Sequence, residues 1–411
     1  MVLPFKVAVV GQGYVGLPLA IAAAEAGISV IGIDIDKQKI DSIHAGKSPV
    51  EDISDARLAN VLDKASYRAS DKFEEIESAQ VVVICVPTPL NKDLKPDLSA
   101  LVVATKNVIP HLQAGALLIS ESTSFPGTLR DVIYPLAESM LSKEIENILF
   151  ASSPERVNPG DKNWDITNTP RLVGGLTPQA TKKAVEFYSH FCAAVIETET
   201  PEIAEAAKIL ENTFRLVNIA LMHEFNQLLS AKQIDFNKVV DAASTKPYGF
   251  MPFRSGVGIG GHCIPVDPLY LIWWAREQGG HAKLVEAADD ISRNMPLYVA
   301  QRALALMNDT TGFRRVLVLG VAYKPGLSDT RETPVLALIK KLQELGADVK
   351  WHDPMVDNWN GGSSVGIDWD CEIAILATNQ PGLDIDKVLQ KGIPILDCTN
   401  TYGHKIGVTT L

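Results

Sequence analysis

The segment Lys6-Val-Ala-Val-Val-Gly11-Gln-Gly13-Tyr-Val-Gly16 narrows the folds open to this chain more than any other. An apolar, β-forming run ends in a glycine turn, and an alanine-rich helical stretch follows as far as Gly27. A second apolar run, Ser29 to Ile33, stops at Asp34. GxGxxG alone is weak evidence, but here it follows a strand, opens a helix and precedes an acidic strand end by roughly 20 residues. In that context the first glycine permits the turn, the second lets a pyrophosphate reach the main chain, and the third lets the helix pack on the strand. Asp34 is then placed to accept hydrogen bonds from an adenosine ribose, which selects NAD over NADP. A doubly wound α/β domain is the expected frame.

Further strands are expected at Val81 to Val86 and Ala116 to Ser120, ending in Pro87-Thr88-Pro89 and Glu121-Ser122-Thr123. Ligands on open parallel sheets lie at the carboxyl ends of strands, so Thr88 and Thr123 are candidates to line the cofactor crevice. Both equally fit ordinary turn hydroxyls. Glu155, in the turn-rich stretch from Ala151 to Gly160, reads either as a base near a substrate or as a solvated loop carboxylate.

From Pro201 to about Gln233 the period changes. Ile203, Ala207, Leu210, Phe214, Val217, Leu221, Phe225 and Leu228 recur at intervals of three or four, which predicts one long helix. Its length suits a bridge between domains, a dimer interface, or both. Lys208 and Asn212 fall one turn apart on one face, with Arg215 close by and apolar neighbours that could partly bury the amine.

Gly258-Ile-Gly260-Gly261-His-Cys263-Ile-Pro-Val-Asp267 follows. Its glycines would let backbone approach a ligand, and Cys263 would sit just ahead of a helix capped by Asp267 and begun by Pro268, where the dipole favours thiolate. A glycine turn carrying a buried structural cysteine is the competing reading. After a linker near 309–312, strands at 314–319, 348–352, 372–378 and 393–398 repeat the βαβ rhythm of the first domain without GxGxxG. Lys324 to Thr333 occupies the first crossover there. It reads as a phosphate or carboxylate site, or as a surface salt-bridge cluster.

At 411 residues two or three domains are expected. The net charge of -11 argues against nucleic acid or an anionic membrane as partner. Five dispersed cysteines with no CxxC fit reduced thiols and neither a disulfide framework nor a metal site. An apolar strand at the very start leaves no room for a signal peptide, and no run reaches membrane-spanning length, so a cytoplasmic protein is expected. An NAD domain beside an accessible cysteine suggests aldehyde oxidation or a four-electron alcohol oxidation, in which a thiohemiacetal becomes a thioester that water cleaves.

Seven motifs in order carry a resemblance: GQGYVGLPLA at 11–20, VPTPL at 86–90, ESTSFPGT at 121–128, SPERVNPG at 153–160, AEAAKILENTFRLVNIA at 204–220, GVGIGGHCIPVDP at 256–268 and GVAYKPGLSDTRETP at 320–334. Over nearly its whole length the chain resembles the UDP-glucose/GDP-mannose dehydrogenase family. The resemblance implies two Rossmann-like doubly wound α/β domains, 1–200 and 309–411, joined by a helical domain, 201–308, whose long central helix supports a homodimer. It implies two successive NAD-dependent oxidations of a sugar C6 hydroxyl, with Cys263 as nucleophile. Lys208, Asn212 and Asp267 would stabilise charge and direct water, with Thr123 and Glu155 beside C6. Cofactor contacts fall on Gly11, Gly13, Tyr14, Val15, Gly16, Asp34, Lys39, Pro87, Thr88, Thr123 and Arg331. Substrate contacts fall on Glu155, Arg156, Lys208, Asn212, Arg254, Gly260 and Lys324.

UDP-glucose enzymes of the family carry a second glutamate shortly after the first, where this chain reads Arg156-Val157-Asn158-Pro159. The SPERxxPG form resembles instead the branch acting on UDP-N-acetylhexosamines. KPYGFMPF at 246–253 fits UDP-N-acetylglucosamine, with UDP-N-acetylmannosamine and then UDP-glucose as alternatives. A two-electron hydroxyacid dehydrogenase would need neither Cys263 nor a second nucleotide-like domain. A non-catalytic NAD-responsive regulator would be expected to lack the nucleophile or Lys208.

Overall fold

A computed structural model describes residues 5–157, 163–307, 314–403 and 405–411; Asn158 to Gly160 and the linker expected at 309–312 lie outside them. Eight apolar runs build the first sheet: β1 (Lys6–Val10), β2 (Ser29–Ile33), β3 (Tyr67–Ser70), β4 (Val81–Ile84), β5 (Leu117–Ser120), β6 (Leu149–Ser152), β7 (Arg171–Gly175) and β8 (Val195–Glu197). They lie in the order β3-β2-β1-β4-β5-β6-β7-β8, with β6–β7 the antiparallel pair. β4 and β5 are buried at every position, as strands covered by helices on both faces must be. The helix Gly16–Glu25 packs Leu17, Leu19 and Ile21 into the core on one face, and Ser99–Val108 packs Leu101, Ala104 and Val108 into the core on the other.

Strand order reverses between β1 and β4, the switch point where a parallel sheet opens a crevice. Gly11 has φ +94°, and a Cβ there would stand 2.5 Å from the Cys85 carbonyl oxygen. A Cβ on Gly16 would stand 1.8 Å from the Gly11 carbonyl oxygen, whereas one on Gly13 would meet nothing within 4 Å. Two of the glycines therefore close the turn and the third leaves its outer side open.

The second sheet comprises β9 (Arg315–Leu319), β10 (Asp348–His352), β13 (Ile373–Leu376), β14 (Ile395–Asp397) and β15 (Val408–Thr410), with a hairpin of β11 (Asn358–Trp359) and β12 (Gly362–Ser363) beside it in sequence. The order β10-β9-β13-β14-β15 is wholly parallel, the second common doubly wound arrangement. Its first turn copies that of the first sheet. Gly320 N–H donates to His352 O at 2.8 Å as Gly11 N–H donates to Ile33 O at 2.7 Å. Asp353 follows β10 as Asp34 follows β2, and its carboxylate accepts the N–H groups of Val321 and Ala322 at 2.8 and 3.3 Å. There the acid closes its own loop.

By packing, the chain falls into two compact units. One runs to Glu211 and includes Leu269–Trp274; the other comprises Asn212–Pro268 and the chain from Ala275. The long helix is Pro201–Ser230, ending short of Gln233 because Gln233 takes a left-handed φ of +56°. Its apolar stripe does not face the core. Ile203, Leu210, Phe214, Leu221, Phe225 and Leu228 are exposed, whereas Glu205, Lys208, Asn212, His223 and Asn226 are buried on the opposite side. Among the described residues no helix is long and apolar enough to cross a membrane.

Candidate active site

In the first unit the glycine turn brings backbone and acid together. Gln12 N–H donates to Asp34 Oδ2 at 2.7 Å, and Asp36 N–H to Asp34 Oδ1 at 2.9 Å. Lys39 Nζ lies 3.3 Å from Asp34 Oδ2, an ion pair at the edge of the cofactor loop. The Gln12 amide, wholly buried, takes the Tyr67 hydroxyl on its oxygen at 2.8 Å and gives its N–H to Val9 O at 2.7 Å. Tyr14 and Val15 pack against the adjacent core. The open side of Gly13 and the oriented Asp34 carboxylate fit a pyrophosphate and a ribose.

At the strand ends Thr88 Oγ1 donates to Thr123 O at 2.6 Å, which ties the turn that carries Pro87 to the turn after β5. Tyr270, on the segment packed with this unit, donates its hydroxyl to Thr88 O at 2.9 Å. Glu155 is buried, so the solvated-loop alternative does not hold. Its Oε1 accepts the N–H groups of Arg156 and Val157, both at 2.6 Å, and its Oε2 accepts Arg171 Nη2 at 2.7 Å. Burial would push this carboxyl up, but Arg171, the Val157 N–H and nearby Lys208 outweigh it and hold it below the usual carboxylate range. Arg156 is turned elsewhere. Its guanidinium grips Glu211 at 2.5 and 3.1 Å and the Pro170 carbonyl at 2.8 Å.

In the second unit Asp267 begins the helix Asp267–Glu277 instead of standing before it as a cap. A carboxylate inside the first turn is free to reach sideways, and Asn212 Nδ2 donates to Asp267 Oδ2 at 2.5 Å. Asp267 N–H donates to Cys263 O at 2.8 Å, which closes the cysteine loop onto the helix. Cys263 is half-buried. The glycines of this loop, expected to let backbone approach a ligand, also have a packing role. A Cβ on Gly260 would lie 2.7 Å from Tyr323 Cβ and 2.9 Å from Pro334 Cδ, and one on Gly258 would lie 2.9 Å from Pro334 Cβ. The loop thus seats against the crossover that contains Lys324 and Arg331. Arg331 pairs with Asp329 through Nη2–Oδ2 at 2.6 Å and Nε–Oδ1 at 2.9 Å, and its Nη2 lies 3.3 Å from His262 Nε2. Burial would push the Asp329 carboxyl up, but Arg331 and His262 hold it low. Arg254 is bound to Asp241 and to the Asn237 carbonyl.

Sequence reasoning missed the group behind Glu155. Arg171 and Glu121 are buried partners 50 residues apart, and the only local signal was a charged residue opening the apolar run Arg171–Gly175.

Profiles of three domains match in order: the NAD binding domain of the UDP-glucose/GDP-mannose dehydrogenase family at 5–192, its central domain at 202–294 and its UDP binding domain at 317–401. The chain belongs to this family. It is an NAD-dependent nucleotide-sugar dehydrogenase. Within the family it is 34% identical to a UDP-N-acetyl-D-mannosamine dehydrogenase of Pyrococcus horikoshii, over 92% of this chain and 90% of that protein. It is 33% identical to a UDP-N-acetyl-D-glucosamine 6-dehydrogenase of Pseudomonas aeruginosa, over 88% and 86%. The solved structure of a UDP-D-ManNAc dehydrogenase from Pyrococcus horikoshii is similar at a TM-score of 0.89 and 30% identity, with 98% of each chain covered.

Proposed function

We propose that this chain oxidises the C6 hydroxyl of a UDP-N-acetylhexosamine to the carboxylate in two successive steps, with Cys263 as the covalent nucleophile. The state of the cysteines carries this reading. Cys85, Cys192, Cys371 and Cys398 are buried, and burial pushes each thiol up. Cys263 is half-buried on a loop closed onto a helix N-terminus, where thiolate is favoured.

The Gly11–Gly16 turn, Asp34 and Lys39 would hold NAD, which when bound would supply the hydride acceptor for each oxidation. The aldehyde left by the first is captured by the Cys263 thiolate as a thiohemiacetal. Its oxyanion is stabilised by Lys208 and Asn212, one turn apart on the long helix. Loss of the second hydride leaves a thioester on Cys263, and attack by one water releases the carboxylate and regenerates the thiolate. Asp267, oriented by Asn212, and the ionised Glu155 are the carboxylates for directing that water. The residue ranges 1–200, 201–308 and 309–411 then divide the work among cofactor binding, dimerisation and nucleotide-sugar binding.

SPERxxPG and KPYGFMPF favour UDP-N-acetylglucosamine as substrate. The manno epimer is the second reading, supported by the likeness to the Pyrococcus horikoshii enzyme. The test is NADH formed per sugar at limiting UDP-N-acetylglucosamine, UDP-N-acetylmannosamine and UDP-glucose. About two NADH per sugar is expected for one N-acetylhexosamine. Cys263→Ser should lose the second oxidation, with carboxylate formation falling by at least ~10³-fold. One NADH per sugar from the unaltered protein, or carboxylate formed at an unchanged rate by the variant, would remove the thioester route.

A further inference from the structure

Glu155 has an unusual supporting cast. Arg171, only 4% exposed, stands at the head of β7, which pairs with β6 just before Glu155. Its Nη2 donates to Glu155 Oε2 at 2.7 Å, and its Nη1 donates to Glu121 Oε1 at 2.7 Å. Glu121 Oε1 also accepts the Tyr188 hydroxyl at 2.5 Å, and the guanidinium lies 4.7 Å from the Tyr188 ring centroid. Every member is buried, so a solvated-surface explanation is closed. Two carboxylates and one cation in a dry interior are costly unless geometry and hydrogen bonding compensate. Aliphatic residues in place of the whole cluster would serve packing as well. A cluster kept at that cost has a use if the Glu155 carboxylate has to be fixed.

We infer that Arg171 is a positioning residue for the oxidation: bridged between Glu121 and Glu155, it fixes the Glu155 carboxylate in one place. The inference rests on the reading of Glu155 as part of the catalytic site. Glu155 accepts three hydrogen bonds, two on Oε1 and one on Oε2, which leaves its carboxylate one orientation. Glu121 and Tyr188 do for Arg171 what Arg171 does for Glu155. Glu121 is also continuous with Ser122 and Thr123, so the same bridge joins the turn after β5 to the turn after β6. A shift in one is felt by the other.

The experiment compares the unaltered protein with Arg171→Lys, Arg171→Met, Glu155→Gln and the Arg171→Met/Glu155→Gln pair. Arg171→Met is expected to lower kcat by ~10²-fold, the scale on which a misplaced catalytic group costs rate. KM for the nucleotide sugar should stay within about threefold, and Arg171→Lys should recover part of the loss. In the Glu155→Gln background, Arg171→Met should cost nothing more, because residues acting as a unit are not additive. A structural role would add its own loss there. Protonation of Glu155, followed by infrared difference spectra with Glu155→Gln as the blank, is read without turnover and should move upward in both Arg171 variants. Unaltered kcat in Arg171→Met, a full additional loss in the double variant, or an unmoved Glu155 titration would each overturn the inference. An unaltered protein that forms no NADH would count against the proposed function, and the infrared titration would still decide the role of Arg171.

Discussion

Glu121 is the residue whose surroundings say most about this molecule's response to pH. Burial pushes its carboxyl up to about 7; Arg171 draws it down, Glu155 pushes it up, and the Tyr188 hydroxyl draws it down. Cys85 completes the ring of titratable neighbours at 3.9 Å. In the unfolded chain the same group returns to its ordinary value of 4.5. Between those values the folded chain keeps a proton that the unfolded chain has released, so stability is greatest below the unfolded value and falls as pH rises toward 7. The share belonging to Glu121 is on the order of 3 kcal/mol. Glu121→Gln should flatten this decline, measured by urea unfolding at stepped pH, and an unchanged slope would mean that Glu121 does not hold the proton. None of this was legible beforehand. Asp34, Lys208 and Cys263 announce themselves within one motif each, because a glycine turn or a single helical turn brings their neighbours close in sequence. Glu121 and Arg171 meet only because β7 folds back antiparallel on β6, a pairing that no local pattern encodes.

At the scale of elements, the helical segment after Phe125 shows how one part of the fold depends on another. It has no cap of its own at Thr128, whose hydroxyl returns to Phe125 O. The orphan N–H groups of Gly127 and Leu129 are taken instead by Glu205, from the first turns of the long helix, at 2.7 and 3.1 Å. Glu205→Ala would leave two buried donors without an acceptor and should cost about 2–4 kcal/mol, read from denaturant midpoints. Glu205→Gln retains one acceptor and should cost less, and equal losses would show that volume alone matters at this position. The sequence pattern located β1, β2, β4, β5, β9, β10, β13, β14 and the long helix. β3, β7 and β8 escaped notice because Tyr67–Ser70 and Val195–Glu197 are too short to show alternation and Arg171 interrupts the third. The period of the long helix was legible, but not which of its faces is buried. A helix with two demands on it, a polar site on one side and an apolar surface on the other, has the same periodicity as a helix that faces a core.

The exposed stripe bears on the whole molecule. At 3.6 residues per turn, Ile203, Leu210, Phe214, Leu221, Phe225 and Leu228 fall within about 60° of one another, a stripe as narrow as a coiled-coil seam. Leu210 is 68% and Leu228 65% exposed in the single chain, far beyond what scattered surface leucines need to explain. The opposite face is occupied by Lys208 and Asn212, so the helix cannot turn the stripe inward without exposing the residues proposed to hold the oxyanion. An exposed apolar stripe of this kind suits a partner, and a stripe is self-complementary about a twofold axis. The homodimer proposed for residues 201–308 would form through this helix. Phe225→Asp with Leu228→Asp should convert the protein from twice the chain mass to the chain mass in light scattering. Because both side chains are exposed in the single chain, each change should cost the monomer only about 0.5 kcal/mol, so loss of the dimer would not be loss of the fold. A double variant that keeps twice the chain mass would place the dimer interface elsewhere, and an unaltered protein of single-chain mass would leave the stripe without the partner proposed for it.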